Sequence, residues 1–111
     1  MSNRFVIAID ECTPKEQLDF LQFCRDKNLS WWNWIEGFWL IVDPAGTLSA
    51  DKFRDFIHDT TGGKRALVMQ IDKDVTWAGS GPDTSDKNMF RWLKDRWTGP
   101  DVEKLDETAH S

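Results

Sequence analysis

The side chain this sequence uses most unusually is the indole: there are seven tryptophans and no tyrosine in 111 residues. Four of them, Trp31, Trp32, Trp34 and Trp39, fall within SWWNWIEGFWLIVD, Ser30 to Asp43. An indole offers a flat apolar face for stacking and one N–H donor at its edge. Stacking a base on such a ring contributes roughly 1–3 kcal/mol, and for a small ligand it needs no basic surface. Trp32, Trp34 and Trp39, with Asn33 among them, would make a platform for a planar ligand. Trp77, Ser80 and Trp92 are candidate partners from the C-terminal third. The plainer use of the same residues is packing in a core and a dimer interface.

The other groups carry less. Asp10 ends the first predicted strand, at the same end of the fold as the Glu36-Gly37 turn and opposite Asp43, Asp72 and Asp74. It therefore cannot share a metal with them in one chain. Two copies of Asp10 across a two-fold axis could hold a hard divalent cation; otherwise Asp10 is a solvated residue that starts a turn. His58 and His110 have no partner at a ligand spacing. In WAGSGPDTS, Gly79 and Gly81 precede a predicted helix, where backbone amides can hold an anion. Asp83 opposes that use, and a turn capped by Thr84 or Ser85 accounts for the same residues. Cys12 and Cys24 lack CxxC spacing and read as reduced thiols, Cys24 as a small core residue. No P-loop, GxGxxG, HExxH or GxSxG is present. The sequence implies no cofactor and points away from an enzyme.

The elements that must position these residues are legible in the pattern. Arg4–Asp10 is short, β-branched and apolar on both faces, which suits a central strand. Thr13, Pro14 and Glu16 start a helix as N-cap, first helical residue and capping-box partner. Leu18, Leu21 and Cys24, with Phe20, form its inner stripe, and Asn28 stops it. Ser30–Ile35 and Phe38–Asp43 read as a hairpin turning at Glu36-Gly37. With a two-residue loop, Trp34 would face Trp39 and Trp32 would face Ile41. That register puts Trp32, Trp34, Trp39 and Ile41 on one face. A second helix begins at Ser49, stapled by Leu48 and Phe53, buries Phe53, Phe56 and Ile57, and ends at Gly62-Gly63. Arg65–Asp72 is a fourth strand. A third helix runs from about Ser85 to Thr98, with Met89, Phe90, Trp92, Leu93 and Trp97 as its apolar positions.

The order is β-α-β-β-α-β, so the expected class is α+β: a ferredoxin-like antiparallel sheet with an extra C-terminal helix. Residues 1–100 make one domain, and 101–111 an acidic disordered tail. Two helices cover one sheet face. The other, also apolar, needs the third helix, a ligand or a second copy of the chain, and a homodimer is the expected arrangement. The formal charge is −5, of which −3 lies in the tail, and there is no basic block. Composition thus argues against nucleic acid as a partner. No run approaches a membrane span and the N-terminus lacks a signal-peptide pattern, which points to a cytoplasmic protein without a membrane partner.

Strand-ending Asp10, the WWxWI…FWLI hairpin and the closing pattern LVMQI…TWAGSGP…FRWLKDRW make residues 4–97 resemble a group of small, mostly uncharacterised ferredoxin-like proteins. That group is similar in fold to the small endonuclease-like subunit of CRISPR adaptation modules. The resemblance implies a homodimer and, for the nuclease, a metal site made from two copies of Asp10. Three functions follow as expectations. The first is a non-enzymatic homodimeric binding module whose Trp-rich sheet surface takes a small planar, nucleotide-type ligand or a protein partner, suited to bacterial or phage defence and counter-defence. The alternatives are a metal-dependent nuclease using Asp10 across the dimer, and a purely structural interaction protein.

Overall fold

A computed structural model describes residues 2–72, 74 and 76–97. It is an α+β structure whose elements run β1 (Asn3–Ile9), α1 (Pro14–Asp26), β2 (Ser30–Ile35), β3 (Phe38–Asp43), α2 (Ala50–Thr61) and β4 (Ala66–Ile71). An irregular arm follows and closes in a π-helical turn, Leu93–Trp97. The expected tail, residues 101–111, lies outside the described residues.

The helix signals act as their chemistry requires. Thr13 accepts from the Glu16 amide, and Glu16 Oε1 accepts from the Thr13 amide at 3.0 Å, so two orphan donors at the start of α1 are satisfied reciprocally. Of the expected inner stripe, Phe20 and Cys24 are buried, but Leu18 is exposed and Phe23 packs on the core instead. The stripe is rotated because Phe20 and Phe23 meet Phe53 and Phe56 of α2, with Phe23 and Phe56 stacked at 4.2 Å. α2 ends on Gly62, whose left-handed φ of 76° lets its amide reach His58 O.

All strand pairs are antiparallel, in the order β2-β3-β1-β4. β1 is central, as expected. Its register aligns three rows on the face away from the helices: Ser30, Val42, Arg4 and Ile71; then Trp32, Leu40, Val6 and Met69; then Ile35, Phe38, Ala8 and Leu67. The opposite face carries Phe5, Ile7, Ile9, Trp39 and Ile41 into the core beneath α1 and α2.

The hairpin overturns the predicted faces. Ile35 pairs with Phe38 as expected, but Trp32 pairs with Leu40 and Trp31 with Ile41, because β2 carries one extra residue between Trp32 and Ile35. Asn33 Nδ2 holds this bulge by donating to Phe38 O at 2.8 Å and Ile35 O at 3.1 Å. An inserted residue moves every side chain beyond it to the other face. Trp32 and Trp39 are thereby separated, with Trp39 under the helices and Trp32 on the far side.

The third helix is also shorter than predicted. Asp83 bridges Asn88, Thr84 and Lys87 close the turn between them, and Met89 N donates to Pro82 O at 3.0 Å. Asn88 Oδ1 then accepts from the amides of Phe90 and Arg91, so the cap falls there and not at Ser85. Asp83, Thr84 and Asn88 are residue types that bond their own backbone in turns, and here they outcompete a helix. Thr98 lies outside the described residues.

Candidate functional site

The site forms where the arm crosses the sheet face that the helices leave open. Trp32, Leu40 and Val42 from the sheet pack with Met89, Trp92, Leu93 and Trp97 from the arm. Two of these indoles also bond across the junction. Trp32 Nε1 donates to Met89 O at 2.6 Å, and Trp92 Nε1 donates to Ser30 Oγ at 2.8 Å. Buried Arg4 on β1 reaches the end of the arm: its Nε donates to Trp97 O at 2.7 Å and its Nη2 to Arg96 O at 3.1 Å. The guanidinium thus supplies donors to two carbonyls at the end of the π-helical turn.

Between these anchors the arm stands off the sheet and leaves a cleft of about 320 Å³. Trp32, Phe38, Leu40 and Val6 form its floor, Trp77 and Phe90 its outer wall, and Trp97 and Leu93 one end. Trp77 and Phe90 lie nearly parallel, 9° apart with ring centroids at 6.0 Å. Trp32 meets Phe38 edge-on at 88°. Thr76 and Ser80, both exposed, bring hydroxyls to the rim. Gly79 is needed for close approach, since a Cβ there would sit 2.7 Å from Phe90 Cε1. The helical turn is capped at Asn88 and does not start beside Gly81, so the anion-holding arrangement expected of Gly79 and Gly81 is not formed; Ala78, Gly79 and Ser80 line the cleft instead.

Of the residues expected to bind a ligand, Trp32, Trp77 and Ser80 come together in this cleft. Trp39 does not line it, because the bulge turns it under α1, edge-on to Phe20 at 4.7 Å. Asn33 is occupied with the bulge, and Trp34 is exposed outside the cleft. Trp92 is buried outside the cleft lining, its N–H donating to Ser30 Oγ. The three-indole platform is therefore corrected to a cleft shared between sheet and arm. Phe38, Phe90 and Trp97 were missed as lining residues. Alternation along β3 marked Phe38 as facing away from Trp39, but no local pattern says that the arm returns over it.

Asp10 lies at the hairpin end, as expected, beside Gly37 and Arg65, with Ile9 N donating to Gly37 O. Its Oδ2 accepts from Arg65 Nη2 at 2.8 Å and Nε at 3.2 Å. His58 is exposed on α2. Burial pushes the Cys24 thiol up to about 12 and also raises that of Cys12, so both are held as unreactive thiols. Among the described residues no three of His, Cys, Asp or Glu converge as a metal site, and no helix is long and apolar enough to cross a membrane. Comparison of the chain with protein-family models, curated proteins and solved structures gave no match.

Proposed function

We propose that this protein is a non-enzymatic binding module that takes a small planar ligand in the cleft between its sheet and its C-terminal arm. The observation that carries this reading is the cleft itself, about 320 Å³ and walled by Trp32, Phe38, Trp77 and Phe90. A concave, mostly apolar site with a few polar groups at its rim is the usual form of a small-molecule pocket. The fold is read as ferredoxin-like. Supporting this, the strand order taken from the other edge is β4-β1-β3-β2, with both helices on one face. The resemblance to the CRISPR adaptation subunit is retained only at that level of fold.

The homodimer belongs to the same reading. The open face leaves Ile35 52 %, Leu67 61 % and Met69 50 % exposed. Leu67 and Met69 lie on edge strand β4, where a second copy would bury them, and Ile35 lies on the opposite edge, β2. A nuclease built on two copies of Asp10 has weaker support, because the carboxylate is already engaged by Arg65.

The test is tryptophan emission of the purified protein during titration with a library of small aromatic compounds, and light scattering on the same sample. The reading expects at least one compound to change the emission, with the change lost in Trp77→Ala, and a mass of two chains. Emission indifferent to every compound would leave the purely structural interaction protein as the better account.

A further inference from the structure

We propose that the ligand of the cleft is uncharged: a small flat molecule of one or two fused rings with at most a hydroxyl, carbonyl or amine at one end, and no phosphate or carboxylate. The proposal rests on the cleft being the binding site and names the chemistry it selects. Among the described residues every lining side chain is uncharged, and the only side-chain hydroxyls are those of Thr76 and Ser80 at the rim. The floor is sealed in the same sense. The Trp32 N–H, the polar atom of its innermost ring, is spent on Met89 O at 2.6 Å, so Trp32 presents only apolar surface.

None of the described cations lines the cleft. Arg4 faces the carbonyls of Arg96 and Trp97. Arg65 holds Asp10, and Lys64 holds Glu16 and the Glu11 carbonyl. An anionic group entering the cleft would lose its water without gaining a counter-charge from the described lining residues. An uncharged ring would lose only weakly held water and gain contact with four aromatic walls. The size agrees, since about 320 Å³ is at the small end of ligand pockets. A nucleotide's phosphates would find no counter-charge among the described lining residues, so the nucleotide-type ligand suggested by the tryptophan count suits this cleft less well than an uncharged planar one.

A matched pair of probes tests the charge rule. N-phenyl-1-naphthylamine and 8-anilinonaphthalene-1-sulfonate share one ring skeleton and differ by a sulfonate. Each is titrated into the wild-type protein with energy transfer from tryptophan as readout. The uncharged probe is expected to bind at least about tenfold more tightly, with binding lost in Trp77→Ala and in Ser80→Phe, an exposed rim substitution that leaves the core intact. Ile35→Lys, at a half-exposed position of the cleft lining, should narrow the preference by giving the sulfonate a counter-charge. Equal or tighter binding of the sulfonate, still sensitive to Trp77→Ala and Ser80→Phe, overturns the charge rule and leaves the cleft as the site. Binding of both probes indifferent to those two substitutions overturns the cleft reading, and the charge rule with it.

Discussion

The two faces of the sheet are both apolar, but they are covered by different means. Under the helices the cover is largely phenylalanine: Phe20, Phe23, Phe53 and Phe56 interlock, and Phe5 meets Phe53 at 4.7 Å. Under the arm the cover is tryptophan, with a buried arginine at its end. The difference follows from how each cover satisfies its own backbone. An α-helix pairs its interior amides and carbonyls internally, so apolar side chains are enough to seat it. An irregular arm brings carbonyls that the burial strips of water, and each needs a donor. Trp32 serves Met89 O, and Arg4 serves Arg96 O and Trp97 O. A ring with a donor at its edge fits such a junction where phenylalanine does not. Trp39 is the instructive exception: it sits on the helix face, and its Nε1 is buried with no hydrogen-bond partner.

The sharpest way to break the contrast is to remove one ring from each cover. Phe53→Ala should cost about 3–5 kcal/mol in urea unfolding, because the cavity lies in the core shared by both helices and the sheet. Trp97→Ala should instead release the arm alone. Hydrogen exchange is then expected to rise in residues 76–97 while the β1 and β3 amides keep their protection. Equal loss of protection in both regions would mean that arm and helices form one cooperative unit.

Arg4→Met tests whether donors, and not apolar area, hold the arm. Loss of bonds from a charged group to two buried carbonyls should lower stability by about 2–3 kcal/mol, with a red shift of tryptophan emission as the arm opens. An unshifted spectrum and unchanged urea midpoint would show that packing alone seats it. Paired replacements give a smaller but cleaner comparison. Trp32→Phe strands the Met89 carbonyl and should cost about 1–3 kcal/mol. Trp39→Phe removes a donor that has no acceptor, so it should cost clearly less than Trp32→Phe despite deeper burial.

Acid should separate the faces most weakly. The Thr13 amide, followed by Lys64, holds the Glu16 carboxyl below the usual carboxylate range. A depressed folded value means that its stabilisation is fully present above the ordinary pKa near 4.5 and is lost as pH falls through the lower folded value. Glu16→Gln should flatten that acid limb, measured as unfolding midpoint against pH. The guanidinium-to-carbonyl bonds of Arg4 do not titrate there, so the Arg4→Met penalty should be the same at pH 4 and pH 7.

The alternation of two helices with four strands was legible along the chain. The signals were local: the Thr13-Pro14-Glu16 cap, the Gly62 stop, and β-branched runs bounded by polar residues. Also legible was that both sheet faces must be covered, since each strand of the hairpin is apolar on both sides. Where each indole points depended on register and long-range contacts. A single extra residue in β2, held by Asn33, turned Trp32 and Trp39 to opposite faces; strand period constrains alternation but not register, so no inspection of SWWNWI could place it. The cleft was likewise decided by return of the arm over β3 and β1, through hydrogen bonds between residues 57 to 93 positions apart. Contacts at that separation leave no periodic trace in the chain, because they depend on which buried carbonyls are left without water once the rest has folded.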